Sequence, residues 1–426
     1  MGDSGYFGSG QMPVAAPAGC PVDHGFSPFA DGYVADPYGE LARRRRETPV
    51  FHAPKLGYLV LTRMSDVAEV LRRDDVFSPE NVQEPVTPVC AAAAARLAAD
   101  DFNPIPVLSN RAEPDHGRIR RHVQTCFSGR RMRLLEPVIR RRCEMLVDAM
   151  LTAGPPGEFS AAVGHALPGE TIYRLVGFSE ADDPKLMDWS RDRLAFTWGR
   201  ADEAAQVAIA DSMIAYWRYC VGHVARRRRE PADDLTSELL AVHAADPAAL
   251  TLEEITSVLY GLSFAGHEIV SYLLANALIC LLTRRAQWAA VTAEPARIPT
   301  AVEEVLRFDS PQTSWRRVAR EDTEIAGTRV PAGTRIFLSL AAANHDEAEF
   351  DAPEIFDIDR DNAGAHIAFG RGIHFCLGNR LATMEAVILM ETLTARVPTL
   401  ALAPDRPLAY VPNFTLRGPA ELWLTW

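Results

Sequence analysis

Residues 366 to 389 read HIAFGRGIHFCLGNRLATMEAVIL, with one cysteine, Cys376, set among Gly370, Gly372 and Gly378. A helical pattern begins directly after it. A cysteine at a helix N-terminus meets the positive end of the helix dipole and several unpaired N–H groups, which favour the thiolate. Glycines here let the backbone approach something large and flat. Two plainer readings compete with a functional sulfur. GRG could begin a dinucleotide loop, but that fingerprint needs glycine where Phe375 stands, and no clear strand precedes it. The other, a small buried hydrophobe, stays open on local physics.

A second stretch, FAGHEIVS at 264 to 271, sets His267 and Glu268 inside the most apolar part of the chain, between VLYGLS and YLLANALICLL. Residues 258 to 282 are long enough to cross a bilayer. A mid-membrane carboxylate costs about 2.5–3.5 kcal/mol, and nothing flanking suggests a matched second span. The expectation is one long helix buried in a protein core. A third stretch, EEVLRF, places Glu304 and Arg307 three apart on one helix face. Alone, it reads as a surface ion pair worth a few tenths of a kcal/mol.

FGRGIHFCLG resembles the haem-binding loop of the cytochrome P450 monooxygenases, Phe-Gly-x-Gly-x-His-x-Cys-x-Gly, with every fixed position present. The resemblance covers about Gly19 to Trp426. It implies that Cys376 is the axial thiolate of the iron of haem b, that Phe369 covers the sulfur, and that Gly370 and Gly378 shape the loop. Sulfur ligation pushes electron density onto iron and favours O–O cleavage. By the same resemblance His374, His116, Arg120 and Arg317 lie at the two haem propionates, which suit the fixed charge of arginine; Arg121 and Arg316 face elsewhere. Glu304 and Arg307 then match the family's Glu-x-x-Arg, with Arg360 of FDIDR as third member of a buried lock behind the ligand loop. CPVDH, LGYLVLTR, FTWGR, ANHDE and PNFTLRGP look closer still to the haem domains of self-sufficient bacterial enzymes fused to a flavin and iron–sulfur reductase.

AGHE is similar to the family's distal Ala-Gly-x-acid-Thr signature. The resemblance puts Ala265 and Gly266 where dioxygen needs room, makes Glu268 the acid, and sets both ionisable groups against a polar oxygen site. The threonine is missing: Ile269 stands there, followed by Val270. That hydroxyl normally helps deliver protons before the O–O bond breaks, and positioned proton transfer is worth about 10²–10⁴-fold. Ser271 is about 200° around the helix, and Ser263 lies nearly two turns upstream. Substrate groups or water could replace the hydroxyl, Glu268 or His267 could relay protons, or the reaction could be unusual. His267 as a satisfied structural histidine also remains open.

The elements that must position these residues are mostly helical. Tyr38 onward, SDVAEVLRR with Ser65 as cap, DHGRIRRHVQTCF and nearly all of 133–300 have helical spacing, and a last helix is expected over Asn379 to Arg396. VFHA and YLVLTR predict a hairpin, RRVARED, TEIAG and TRIFLSL predict strands, and the end, FTLRGPAELWLTW, predicts paired strands. Residues 78–112 predict a lid-like loop or short helix. The fold class is mainly α with a small β region, which the resemblance makes a P450 fold with haem between a long central helix and a proximal helix. Residues 1–35, rich in Gly, Pro and Ala, predict a flexible lead-in, and 36–426 one haem domain.

Net charge −12 and pI near 5.5 argue against nucleic-acid binding. Seven scattered cysteines without a CxxC pair argue against a disulfide framework or structural zinc site and suit a reducing compartment. The N-terminus matches neither a signal peptide nor, with Tyr6 where a hydroxyl residue belongs, a myristoylation motif, so a cytoplasmic protein without a membrane span is expected. By family topology, Phe264, Trp198, Thr197, Phe196, Gln312, Thr313, Ser314, Trp315 and Phe414 would contact a small organic substrate. Arg130, Arg131 and Arg133 could steer an acidic ferredoxin or other reductase; with no flavin or ferredoxin motif in the chain, electrons are expected from a separate partner. Three readings follow: an O2-dependent monooxygenase acting on a small aromatic or natural-product molecule; an atypical coupling, ring-forming or peroxide-driven haem-thiolate reaction, motivated by Ile269; and a haem sensor or carrier.

Overall fold

A capping box opens the helix that carries FAGHEIVS. Thr251 Oγ1 accepts from Glu254 N, and Glu254 Oε2 accepts from Thr251 N. The computed structural model describes residues 16–99 and 102–426, and in it this helix runs Leu252–Ala265. It then stops at Gly266–His267 and restarts as Glu268–Leu282. The single helix expected over 258–282 is therefore two helices end to end. Gly266 N still bonds Leu262 O, His267 N shortens its step to Phe264 O, and Ser271 N takes up His267 O to resume the ladder. A Cβ on Gly266 would lie 2.5 Å from Ile172 Cγ1, so only glycine lets the helix Ala166–Val176 close on the break. Apolar residues continue on both sides of the break, so hydropathy alone does not reveal it. This pair is the one segment among the described residues long and apolar enough to span a membrane; its most apolar window is 83% buried in the fold.

The helix Asn379–Arg396 has the bounds its pattern predicts and packs against Gly129–Ala153, Ile298–Phe308 and Glu268–Leu282. Leu381, Ile388, Leu389 and Leu393 anchor it in the main helical core, each burial worth about 1.5–3 kcal/mol. The main sheet runs in spatial order Val50–Ala53, Tyr58–Leu61, Arg335–Ser339, Ser314–Ala319, Phe77–Ser78. The expected hairpin pairs Val50 with Leu61, and Gly57 at φ 72° makes its turn.

Several expectations need correction. Residues 16–35 are not a loose lead-in: Phe26 is fully buried against Tyr33, Phe51 and Phe337, and His52 exchanges backbone bonds with Pro21 and Asp23. One aromatic with a receptive groove outweighs a Gly- and Pro-rich composition. Residues 1–15 lie outside the described residues. Ser65 does not cap its helix, which starts at Met64 with Asp346 Oδ2 accepting from Met64 N; a distant carboxylate replaces the local hydroxyl. Residues 78–112 do hold a short helix, Ala91–Ala99, as one of the two expected alternatives, along with a 3₁₀ turn, Glu80–Gln83. At the C-terminus only Trp423–Thr425 is a strand, and it pairs with Gly157–Glu158 and Ala401–Leu402 rather than within its own segment.

Candidate active site

Gly370 and Gly372 hold positive φ, 72° and 73°, in the loop before the Asn379 helix. A side chain on Gly372 would land on the carbonyl of Leu71, so the loop lies directly against the helix Met64–Arg72. Cys376 N donates to Phe369 O at 2.9 Å, and Asn379 Nδ2 donates to Cys376 O at 2.6 Å. Burial raises the thiol's pKa, while the N–H groups of Gly378 and Asn379 and the charge of Arg120 pull it down. The expected lowering is not reached: desolvation outweighs these favourable groups in the protein alone.

Cys376, Phe369, Gly370 and Gly378 line one wall of a cavity with about 240 Å³ open to the centre of a water molecule. Ala265, Gly266, Ile269 and Val270 line the same cavity. The residues that flank the helix break and Cys376, over a hundred positions apart in sequence, thus meet at one cavity. Trp315 and Gln312 also line this space, and its hydroxyls come from Ser109 and Ser310, away from the distal helix.

The ligand loop is braced from behind by the expected trio. Arg307 Nε and Nη2 each donate to Glu304 at 2.7 Å, with both residues fully buried. Arg360 Nε adds a contact at 3.2 Å. Arg307 also donates to Asn344 O and Pro353 O, and Asn344 Oδ1 accepts from Ile367 N two residues before Phe369. Asn344 thus ties the charge network to the loop; it sits in ANHDE, but its role needs the fold to be seen.

At the rim, Arg120 and Arg317 line the cavity, and their nearest bonds go to carbonyls, Phe375 O and Arg316 O. Burial pushes Arg317 down to about 10. His116 and His374 stack with ring centroids 4.1 Å apart; Nδ1 of His374 donates to Leu108 O, and Nε2 of both rings lacks a partner. Burial, Arg317, His116 and Arg120 hold His374 down at about 2. Buried Arg317 and half-buried Arg120, neither paired with a carboxylate, and two orphaned ring nitrogens make a cradle short of negative charge, with the half-exposed Glu113 carboxylate at its edge, 3.3 Å from His116 Nδ1. Arg316, on the opposite face of the same strand, bonds Val82 O and Glu84 O instead, and Arg121 is exposed.

His267 and Glu268 are buried but do not line the cavity. They turn toward His165 and Tyr173, with Tyr173 Oη 3.3 Å from His267 Nδ1 and His165 Nδ1 3.8 Å from Glu268 Oε1. The expectation that both face an oxygen site is corrected: helix rotation at the break gives the cavity to Ala265, Gly266 and Ile269. Burial raises Glu268 to about 7 and drives His267 well below its ordinary value.

Of the expected substrate contacts, Trp315 and Gln312 reach the cavity. Trp198, Phe264 and Phe414 form an aromatic cluster beside it, and Phe196 packs with Met213 in a separate one. Thr197 is buried, Thr313 Oγ1 donates to Thr415 O, and Ser314 Oγ to Phe414 O. Leu262, Ile172 and Glu385 line the cavity without having been singled out. Glu385, whose carboxyl is raised well above its usual range by burial alone, lies mid-pattern in an apolar helix face, and nothing local marks it.

An anionic ligand would satisfy this cradle, and the resemblance of the Cys376 loop makes that ligand haem and the class haem-thiolate oxidoreductase. Comparison with known proteins gives the family. The chain belongs to the cytochrome P450 family, whose profile matches residues 203–396. It is 33% identical over 414 residues to nocardicin C N-oxygenase of Nocardia uniformis subsp. tsuyamanensis, covering 94% of this chain and 98% of that one. It superposes with a TM-score of 0.91 on cytochrome P450 CREJ in complex with (4-ethylphenyl) dihydrogen phosphate, at 36% identity, 95% of this chain and 99% of that one. An intact type IV self-sufficient cytochrome P450 monooxygenase matches at 0.92 and 35% identity; 97% of this chain covers 54% of that longer one. The protein is thus a monooxygenase-family oxidoreductase with haem b as cofactor.

Proposed function

We propose that this protein inserts one atom of O2 into a small aromatic or natural-product molecule, using electrons from a ferredoxin or other reductase. One observation carries the reading: Cys376 and the residues flanking the break in the distal helix line one and the same largely apolar cavity. In this reading Cys376 ligates the haem iron, and Arg120, Arg317, His116 and His374 hold the propionates. Bound haem supplies dioxygen activation. The chain's own part is to orient and exclude. Glu304, Arg307 and Arg360 hold the ligand loop through Asn344; Gly266 and Ala265 keep the distal wall thin; Leu262, Ile269 and Trp315 exclude water and favour an apolar ring, which Gln312 could orient.

The catalytic unit is residues 36–426, on which residues 16–35 pack. Arg130 and Arg133 are exposed, and Arg133 lies beside Arg380 on the first turn after the ligand loop, a basic patch suited to an acidic partner. Arg131 is taken up by ion pairs to Asp233 and Glu238. Seven unpaired cysteines support a cytoplasmic location.

A second reading has its own observation. Ile269 puts a hydrocarbon on the cavity wall where the family places a hydroxyl, and Glu268 faces away, which favours a coupling or peroxide-driven outcome. Turnover under labelled dioxygen separates the two: label in the product supports oxygen insertion, and unlabelled product supports coupling. The carrier reading gains nothing, since the relatives are oxygenases. Both surviving readings require a strongly red-shifted band when the reduced protein meets carbon monoxide. Its absence, or its survival in Cys376→Ala, removes the foundation.

A further inference from the structure

We propose that His165, His267 and Glu268 form a binding site for one divalent ion of zinc's class, clamped between the turn preceding the Ala166 helix and the restart of the distal helix. One ring nitrogen of each histidine and one Glu268 oxygen lie within 4.8 Å of one another. The separations from Glu268 Oε1 are 3.4 Å to His267 Nδ1 and 3.8 Å to His165 Nδ1. Tetrahedral zinc with ligands at about 2.0–2.2 Å sets them about 3.3 Å apart, so inward shifts of up to roughly 1 Å complete the geometry. Two imidazoles and a carboxylate are a recurrent zinc donor set, leaving a fourth position for water.

The cluster has unfilled bonding capacity. His165 Nδ1, His267 Nε2 and Glu268 Oε1 are all buried without a hydrogen-bond partner, and His267 and Glu268 are 0% and 1% exposed. His165 Nδ1 and Glu268 Oε1 are costly orphans 3.8 Å apart, and an ion bound between them and His267 Nδ1 satisfies both, with His267 Nδ1 giving up its 3.3 Å contact to Tyr173 Oη. The His267 ring is held closely in place: a Cβ on Gly169 would lie 3.1 Å from His267 Cδ2, so only glycine admits the ring there. The partly exposed side chain of His165 provides an entry path. Both rings are uncharged at neutral pH, as ligands must be, because burial holds His165 near 4 and His267 lower still. The ion would sit behind the helix break, on the side away from the cavity, and would hold that break in place.

The test uses the haem-loaded protein, stripped with chelator, desalted and dialysed against Zn2+. We expect one zinc per chain surviving gel filtration, and a higher Tm with zinc than without. His165→Ala and Glu268→Gln should each lose retention at least 10-fold, while the reduced carbon monoxide band shows that the variants remain folded. His243→Ala, at a histidine outside the cluster, should keep its zinc. The proposal is overturned if the wild type retains none, which leaves water as the occupant, or if both cluster variants retain it fully. Either failure leaves the haem reading untouched.

Discussion

Two regions behind the cavity bury ionisable groups and treat them in opposite ways. Behind the ligand loop, Glu304 Oε1 accepts from Arg307 Nη2 and Asp357 N, Oε2 accepts from Arg307 Nε, and the remaining arginine donors go to carbonyls. Behind the distal helix, His165, His267 and Glu268 keep orphaned atoms. A satisfied charge network is rigid and suits the task of holding a sulfur in place. An unsatisfied one is a place where something can still bind or a proton can still move. The fold puts stiffness behind the loop that needs one geometry and leaves unspent polarity behind the distal helix, turned away from the cavity.

The comparison breaks most sharply at Glu304. Glu304→Ala strands two buried arginines and should cost about 3–5 kcal/mol, with loss of bound haem; denaturant unfolding and haem content measure it. A cost under 1 kcal/mol would mean the proximal lock is no stiffer than a surface pair.

On the distal wall, Ile269→Thr restores a hydroxyl facing the cavity. If proton delivery limits oxygen insertion, product formed per electron consumed should rise, by as much as about 10²-fold. An unchanged ratio would assign proton delivery to the substrate or to water. At the rim, Arg317→Ala removes a buried cation from the anion cradle and should weaken haem retention about 10- to 100-fold, the equivalent of about 1.5–3 kcal/mol for a charged hydrogen bond. Transfer of haem to apomyoglobin reads it directly.

The smallest effect concerns His345, buried beside the lock and held at about 3 by burial and Arg307. A histidine whose folded value is depressed contributes stability that is present above its unfolded value of about 6.5 and lost as pH falls. His345→Gln should therefore flatten the loss of stability between about pH 6.5 and 3, at a cost of about 1 kcal/mol at neutral pH. Equal acid sensitivity in both proteins would show that this ring is not titrating there.

Much of this was legible beforehand where local physics and local spacing coincide. The Asn379–Arg396 helix, the Val50–Leu61 hairpin and the glycine-framed Cys376 each follow from residues within about twenty positions of one another. The break at Gly266 was not, because an apolar run looks alike whether its ladder is continuous or interrupted; the close approach of Ile172 makes the glycine meaningful. The packing of residues 16–35 was hidden for a related reason, since the groove that receives Phe26 is built by strands from both ends of the chain.

By itself the sequence determined which atoms are available: one sulfur at a helix entrance, a glutamate three residues before an arginine, two ionisable groups in a hydrocarbon stretch, and no hydroxyl at 269. Which way those atoms point was settled only by the tertiary structure. Helix rotation at the break turned Ile269 toward the cavity and His267 and Glu268 toward His165, a residue a hundred positions earlier. Strand alternation sent Arg317 to the cavity rim and Arg316 away. Orientation depends on what packs against each face, and the packing partners come from distant segments that no local pattern encodes.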